Sequence, residues 1–294
     1  MYYYFKKNGD FDIMKTKKAV CYGMCSGVKR ALTIVDEALK ECQGQILYIY
    51  HEIVHNTFVI NELKKKNVIF ANSVEEIPCG ARVVFSAHGV SAEVEKKCRE
   101  KNISVYDATC LLVKKNHLAA ENACSEGKHI VFIGRKSHPE CTGIVGRVPD
   151  GYCFVVENED DIKNVPDWDG GVVSIAQTTL SVAEVEKIQH ALKSKYPQIE
   201  NYGGICFATT ERQNAIKELS QSCDLILIAG SEASSNSKNL LKTAQDCGVK
   251  AYLVDNVDDI KNIDFKECQC VGISAGASTP QEQIDILTEA VSKY

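Results

Sequence analysis

Three times along this chain a cysteine stands between a short apolar or aromatic run and a segment with helical periodicity. The three places are Tyr22-Gly-Met-Cys25, Tyr106-Asp-Ala-Thr-Cys110 and Ile205-Cys206-Phe-Ala-Thr-Thr210. Thirty residues after Cys25, and twenty-eight after Cys110 and Cys206, a second strand-like run ends in polar residues, at His55, His138 and Ser234. A third run then ends in a small polar turn: Phe85-Ser-Ala-His88-Gly-Val-Ser91, Ser174-Ile-Ala-Gln-Thr178-Thr-Leu-Ser181 and Ser274-Ala-Gly-Ala-Ser278-Thr-Pro280. Identity between the copies is low but their order is kept, which is the signature of repeated supersecondary units. Strand-length apolar runs alternate with helical patterns throughout, as in parallel α/β sheets. One helix carries Val28, Ala31, Leu32, Val35, Ala38 and Leu39 on an apolar stripe. A second carries Val182, Val185, Ile188 and Leu192 behind Ser181 and Glu184 at capping-box spacing, and a C-terminal one has Ser278 three before Gln281 with Pro280 in its first turn. The expected fold is α/β: an N-terminal arm over residues 1–14 and three pseudo-repeated units over 15–109, 110–205 and 206–294.

Open α/β sheets bind ligands at the carboxyl ends of their strands, where the repeated cysteines, histidines and hydroxyl turns all fall. Three such edges facing one another make a central pocket. Fourteen cysteines are many for a reducing compartment, where disulfides rarely persist, so some are candidates for metal ligands. Cys42, Cys98, Cys124, Cys223 and Cys247 read as small buried hydrophobes. No C-x-x-C occurs, which argues against zinc ribbons, thioredoxin-like sites and the bacterial ferredoxin run. A formal net charge of -5 argues against a nucleic-acid partner. The longest apolar runs, Leu225–Ala229 and Ile130–Ile133, are strand-length, so no membrane partner is expected. The first ten residues lack the apolar core and cleavage site of a secretory signal, and a cytoplasmic location is expected.

Three cysteines on separate units suit a cubane iron–sulfur cluster with three protein ligands and one iron left open; zinc held by the same three is the competing reading. His55, His88 and His138 occupy post-strand turns, and read together they favour a charged ligand over three structural histidines. His51 and His55 have the i, i+4 spacing of helical zinc ligands, but they follow the strand-like Ile46–Tyr50 too closely, so a loop entering a helix is expected. Ser234-Ser-Asn-Ser237 and Ser278-Thr279 begin helical segments, where free N–H groups and hydroxyls suit phosphate oxygens and equally make ordinary caps. Glu140, in Ser137-His-Pro-Glu140, is the candidate proton donor, against the alternative of a solvated glutamate, and Thr178 is placed to orient it or a substrate hydroxyl.

From about Lys18 to the C-terminus the chain resembles the 4-hydroxy-3-methylbut-2-enyl diphosphate reductases, the LytB family. The resemblance rests on motifs in order: Gly23-Met-Cys-Ser-Gly-Val28, His51-Glu-Ile-Val-His-Asn56, Phe85–Ser91, Asp107-Ala-Thr-Cys110, His138-Pro-Glu140, Gln177–Ser181, Cys206 with Ala208-Thr-Thr210, Ser234–Ser237 and Ser274–Ser278. It implies a trefoil of the three units around a central [4Fe–4S] cluster site, and reductive dehydroxylation of the allylic alcohol to isopentenyl and dimethylallyl diphosphate. By the same resemblance Cys25, Cys110 and Cys206 match the cluster ligands and Glu140 the proton donor. His55, His88, His138, Ser234, Asn236 and Ser278 would meet the diphosphate, with Ser235 close by and Thr178 near the hydroxyl end. Reduced ferredoxin or flavodoxin is the implied electron donor. The chain departs from the family pattern at Val20-Cys21-Tyr22, Met24 and Leu111, and keeps every proposed ligand. Cys25 rather than Cys21 is assigned because it opens its helix in register with the other repeats. An iron–sulfur hydro-lyase and a non-catalytic iron–sulfur sensor are the alternatives.

Overall fold

The computed structural model of the chain describes residues 2–7 and 10–294, with side chains from Met14 onward, so part of the expected arm lies outside the described residues. The first third runs β1 (Tyr2–Lys7), β2 (Asp10–Lys18), α1 (Ser26–Glu41), β3 (Leu47–Tyr50), α2 (Thr57–Lys64), β4 (Val68–Ala71), β5 (Arg82–Phe85), α3 (Ala92–Glu100) and β6 (Ser104–Asp107). The middle follows as α4 (Leu111–Ser125), β7 (His129–Ile133), α5 (Pro139–Val145), β8 (Cys153–Val156), β9 (Val172–Ala176), α6 (Val182–Lys195) and β10 (Glu200–Gly203). The last third is α7 (Phe207–Ser220), β11 (Leu225–Ala229), α8 (Ser235–Asp246), β12 (Lys250–Val254), β13 (Cys270–Ala275) and α9 (Gln281–Val291).

These strands form three sheets, ordered β4-β3-β5-β6, β8-β7-β9-β10 and β12-β11-β13-β2, the last extended by β1. The three orders are the same, so the weak repeat of the sequence is a full repeat of the backbone. β1 pairs antiparallel with β2, and the other pairings are parallel. In the third sheet the fourth place is filled from the other end of the chain, by β2, in register from Cys270↔Lys15 to Ile273↔Lys18. Lys15–Lys18 therefore lies in the sheet of the last repeat rather than in that of the repeat it precedes.

Sequence and burial agree in the central strands and at the two polar edges. β9 (Val-Val-Ser-Ile-Ala) and β11 (Leu-Ile-Leu-Ile-Ala) are buried at every position, as strands covered on both faces must be. β6 (Ser-Val-Tyr-Asp) and β10 (Glu-Asn-Tyr-Gly) hold edge places and are half-exposed, which their polar residues tolerate. Each buried Leu, Ile or Val contributes roughly 1.5–3 kcal/mol.

The chain forms two compact units. One, residues 26–54 and 63–206, holds the first two sheets. Its helix α1 buries Val28, Ala31, Val35 and Ala38, and α6 buries Val185, Ile188 and Leu192, while Leu32, Leu39 and Val182 of the expected stripes are only half-buried. The other, comprising the chain up to Cys25, His55–Glu62 and Phe207–Tyr294, holds the third sheet, with Ile284, Leu287 and Val291 of α9 buried against it.

Two capping expectations are corrected. Ser181 is the N-cap of α6 but its side chain makes no capping bond, while Glu184 lies 3.7 Å from Arg135. Pro280 is the N-cap of α9; the Ser278 hydroxyl is instead committed to the carbonyl of His55 at 2.9 Å. Cys42, Cys98 and Cys223 are buried as expected, whereas Cys124 is half-buried in the last turn of α4 and Cys247, the C-cap of α8, is exposed. His51 and His55 lie in the loop before α2, as expected.

Candidate active site

Cys25, Cys110 and Cys206 occupy the same backbone position three times. Each follows the strand in the fourth place of a sheet and immediately precedes a helix, α1, α4 or α7. Each also donates its backbone N–H to the turn ending the neighbouring third strand: Cys25 to Ala277 O (3.0 Å), Cys110 to Ala87 O (3.0 Å) and Cys206 to Thr178 O (2.9 Å). The cysteines are thus pinned to the turns that carry Ser278, His88 and Thr178. All three are half-buried, at helix starts whose N–H groups suit an anionic group. Cys21, by contrast, packs in the apolar layer of Leu219, Ile226 and Leu240.

Sequence reasoning missed a second repeated feature. Five or six residues beyond each cysteine, a polar side chain of the helix donates to a backbone carbonyl of the same compact unit. Arg30 of α1 donates from Nη1 to Thr109 O (3.0 Å), next to Cys110. Arg212 of α7, only 4% exposed, donates from Nε and Nη2 to Gly23 O (3.1 and 2.6 Å), two residues before Cys25. Asn116 of α4 donates to Ala176 O (3.3 Å) and packs against Gly203, in the strands leading to Thr178 and Cys206.

In the unit of the first two sheets, Pro139 opens α5 and the His138 ring caps it, Nδ1 accepting from Glu140 N at 3.1 Å. A ring that accepts at Nδ1 carries its proton on Nε2, which is thereby a donor. The ring of His88 stands edge-on to that of His138, centroids 5.4 Å apart, so the two histidines form one wall. Glu140 is 1% exposed; its Oε1 accepts from Thr178 N (3.0 Å) and its Oε2 from Thr178 Oγ1 (2.9 Å). Burial pushes the Glu140 carboxyl up to about 7, opposed by the hydrogen bonds from Thr178 and Asn116. Glu140 is therefore a buried acid whose proton is exchangeable near neutrality, and Thr178 is the residue that holds it.

This has a consequence for stability. The folded chain keeps a proton on Glu140 that an unfolded chain has released, so this group's effect makes folding less favourable as pH rises from about 4.5 through about 7. A shift of that size corresponds to about 3 kcal/mol at most. Glu140→Gln cannot ionise, so urea unfolding at pH 5 and pH 8 should show the variant gaining on the unaltered chain at the higher pH. A constant difference between the two proteins would remove the buried acid.

In the unit of the third sheet, Ser234 caps α8, its Oγ accepting from Ser237 N at 3.2 Å, with Ser235 and Asn236 in the first turn. Asn236 is 4% exposed, and neither its Oδ1 nor its Nδ2 has a partner among the described residues. A buried amide left unpaired costs roughly 1–3 kcal/mol, so it marks a place that a polar ligand would satisfy. Ser237 fits under this turn because Gly230 and Gly276 have no Cβ where its hydroxyl lies. His55 joins the same unit through its carbonyl, which accepts from Ser278 Oγ. Its neighbour Asn56, buried and unnoticed in the sequence, holds the equivalent place to His138 and Ser234: Oδ1 caps Val59 N (2.9 Å), and Nδ2 donates to Gln283 (3.1 Å).

The family model for LytB protein matches residues 17–292 of the chain. The 4-hydroxy-3-methylbut-2-enyl diphosphate reductase of Haemophilus influenzae strain PittGG is 41% identical over 277 residues, covering 92% of this chain and 88% of that protein. Among solved structures, the E-1-hydroxy-2-methyl-but-2-enyl-4-diphosphate reductase from Plasmodium falciparum superposes with a TM-score of 0.89 at 33% identity, over 94% of this chain and 87% of that one. A structure described as (E)-4-hydroxy-3-methyl-but-2-enyl diphosphate reductase, the terminal enzyme of the non-mevalonate pathway, gives 0.68 at 32% identity, over 96% of this chain and all of that one.

Proposed function

The chain belongs to the LytB protein family, and from that membership we infer that it is a 4-hydroxy-3-methylbut-2-enyl diphosphate reductase, the last enzyme of the non-mevalonate isoprenoid pathway. The finer reading concerns how its residues do this. Cys25, Cys110 and Cys206 would hold a [4Fe–4S] cluster. The observation that carries this is their threefold equivalence: three half-buried thiols, each before a helix start and each tied by its N–H to a turn bearing a candidate substrate ligand. Three sulfur donors fit a cubane with one iron lacking a protein ligand. When bound, such a cluster supplies electrons one at a time and a Lewis-acidic iron.

The remaining work falls to this chain's side chains. Removing the allylic hydroxyl as water and placing hydrogen on the carbon skeleton consumes two electrons and two protons. Glu140, which accepts hydrogen bonds from Thr178 N and Oγ1, would deliver a proton, with Thr178 assigned to the hydroxyl end of the substrate. Ser234, Asn236 and Ser278, with Ser235 nearby, take the diphosphate together with His55, His88 and His138. Protonation at either end of the delocalised allyl species gives isopentenyl or dimethylallyl diphosphate. Electrons arrive from reduced ferredoxin or flavodoxin in the cytoplasm. Among the described residues no helix is long and apolar enough to cross a membrane.

Calorimetry tests the anion site. The diphosphate should bind far more tightly than the free alcohol, because charge-assisted hydrogen bonds are the strong kind. Asn236→Ala should weaken diphosphate binding about 10- to 100-fold, the worth of a hydrogen bond to a charged group, without loss of folding stability, since its amide has no partner to forfeit. Equal affinities for alcohol and diphosphate would remove this assignment, and no binding of the diphosphate at all would favour a sensor.

A further inference from the structure

Two cysteines that the reaction does not use lie in contact at the amino ends of the third sheet's strands, the opposite end from Ser234 and Ser278. The sulfurs of Cys223 and Cys270 are 3.2 Å apart. Leu225 of β11 pairs with Val271 of β13 in parallel register, so Cys223 stands one residue out of step with Cys270. With strands ~4.8 Å apart and a rise of ~3.3 Å per residue, that offset separates the Cα atoms by about 6 Å, the ordinary span of a disulfide. Cys223 precedes its strand, so it is not bound by the alternation that would point it to the other face. Asp224 fixes the arrangement: its N–H donates to Cys270 O at 2.9 Å, and its Oδ2 accepts from the N–H groups of Gln269 and Cys270, both at 2.8 Å. Cys223 is buried and Cys270 half-buried, so Cys270 is the more exposed residue of the pair.

We propose that Cys223 and Cys270 form a reversible dithiol–disulfide site, oxidised by low-molecular-weight disulfides of the glutathione class. The Cys270 sulfur loses its proton and attacks the external disulfide, forming a mixed disulfide and releasing one thiolate. The Cys223 sulfur then attacks that of Cys270, and its proton passes to the second departing thiolate. The chain gives up two electrons and two protons, and the external disulfide leaves as two thiols. Burial raises the Cys223 thiol above its ordinary range, and its contact with Cys270 leaves the two sulfurs within reach of each other once Cys270 carries the mixed disulfide. The bond closes a 47-residue separation between the turn before β11 and the start of β13, and leaves the carboxyl ends of both strands as they are.

The test is to expose the whole, anaerobically prepared and reduced protein to oxidised glutathione, alkylate the remaining thiols, and map the peptides without reduction. The expected result is one cross-linked peptide joining Cys223 to Cys270, reversed by dithiothreitol and absent from Cys223→Ser and from Cys270→Ser. Both residues recovered alkylated, glutathione left standing on Cys270, or a bond from Cys270 to Cys21 in the same apolar layer would each overturn the proposal. The map of the unaltered chain decides the matter even if a variant fails to fold.

Discussion

Cys25→Ser, Cys110→Ser and Cys206→Ser should each lose the iron–sulfur cluster and with it the reductase activity, whereas Cys21→Ser should keep both. A serine hydroxyl is a poor substitute for a thiolate toward iron. On the proposed assignment each of the three thiolates is a ligand that the site needs. Loss of an outer partner of a metal site typically costs about 10–100-fold, and loss of a direct ligand should exceed that. Cys21 is the informative control because it stands only four residues from Cys25. It packs among apolar side chains, while Cys25 alone precedes α1 and donates its N–H to the Ser278-bearing turn. Iron and sulfide analysis of the four anaerobically purified variants reads the result directly. A cluster lost in Cys21→Ser and retained in Cys25→Ser would move the ligand and break the threefold equivalence.

Glu140→Gln should lower turnover by about 10²–10⁴-fold while the cluster and substrate affinity stay close to normal, the range general acid catalysis contributes. Glutamine keeps the size of glutamate but carries no acid proton. Its amide can still receive the Thr178 N–H through the carbonyl oxygen, so the turn around Thr178 should hold. The diphosphate is assigned to other residues, and a defect in kcat with unchanged binding is the signature of a group needed in the transition state. In the unaltered protein the rate should fall as pH rises through about 7, as the buried carboxyl loses its proton, and the variant should lack that limb. Substrate affinity lost together with turnover would make Glu140 a positioning residue. Near-normal turnover with a full cluster would transfer the proton source to His138 or water.

Much of this site is legible in the sequence because the repeat places chemistry-bearing residues at the same strand ends three times. Cys110 and Cys206 announce themselves just beyond strand runs, and His138 and Glu140 stand out in a post-strand turn, although that the turn opens helix α5 is not read from it. What escapes is whatever depends on pairing across long separations. That β2 completes the third sheet cannot be read from the local character of Lys15–Lys18, since any strand run fits any edge until its neighbour is known. Arg30, Asn116 and Arg212 look like ordinary polar residues on helices. Their role appears only when the carbonyls of Thr109, Ala176 and Gly23 are seen to face them. Asn56 was hidden by the more suggestive His55 beside it, although an asparagine just before an apolar helical run is a common N-cap. The bond from Glu140 to Thr178 joins residues 38 apart in sequence, and the weakened acidity of the carboxyl follows from a burial that no local pattern encodes.

The most direct test of the whole account is anaerobic turnover of 4-hydroxy-3-methylbut-2-enyl diphosphate by the purified protein, with a chemical electron donor in measured amount and its omission as the control. Two electrons should be consumed per molecule of product, both isopentenyl and dimethylallyl diphosphate should form, and no reaction should occur without the donor. Conversion that proceeds equally well without any donor, with water added or removed and no electrons consumed, would make the protein a hydro-lyase and contradict the account.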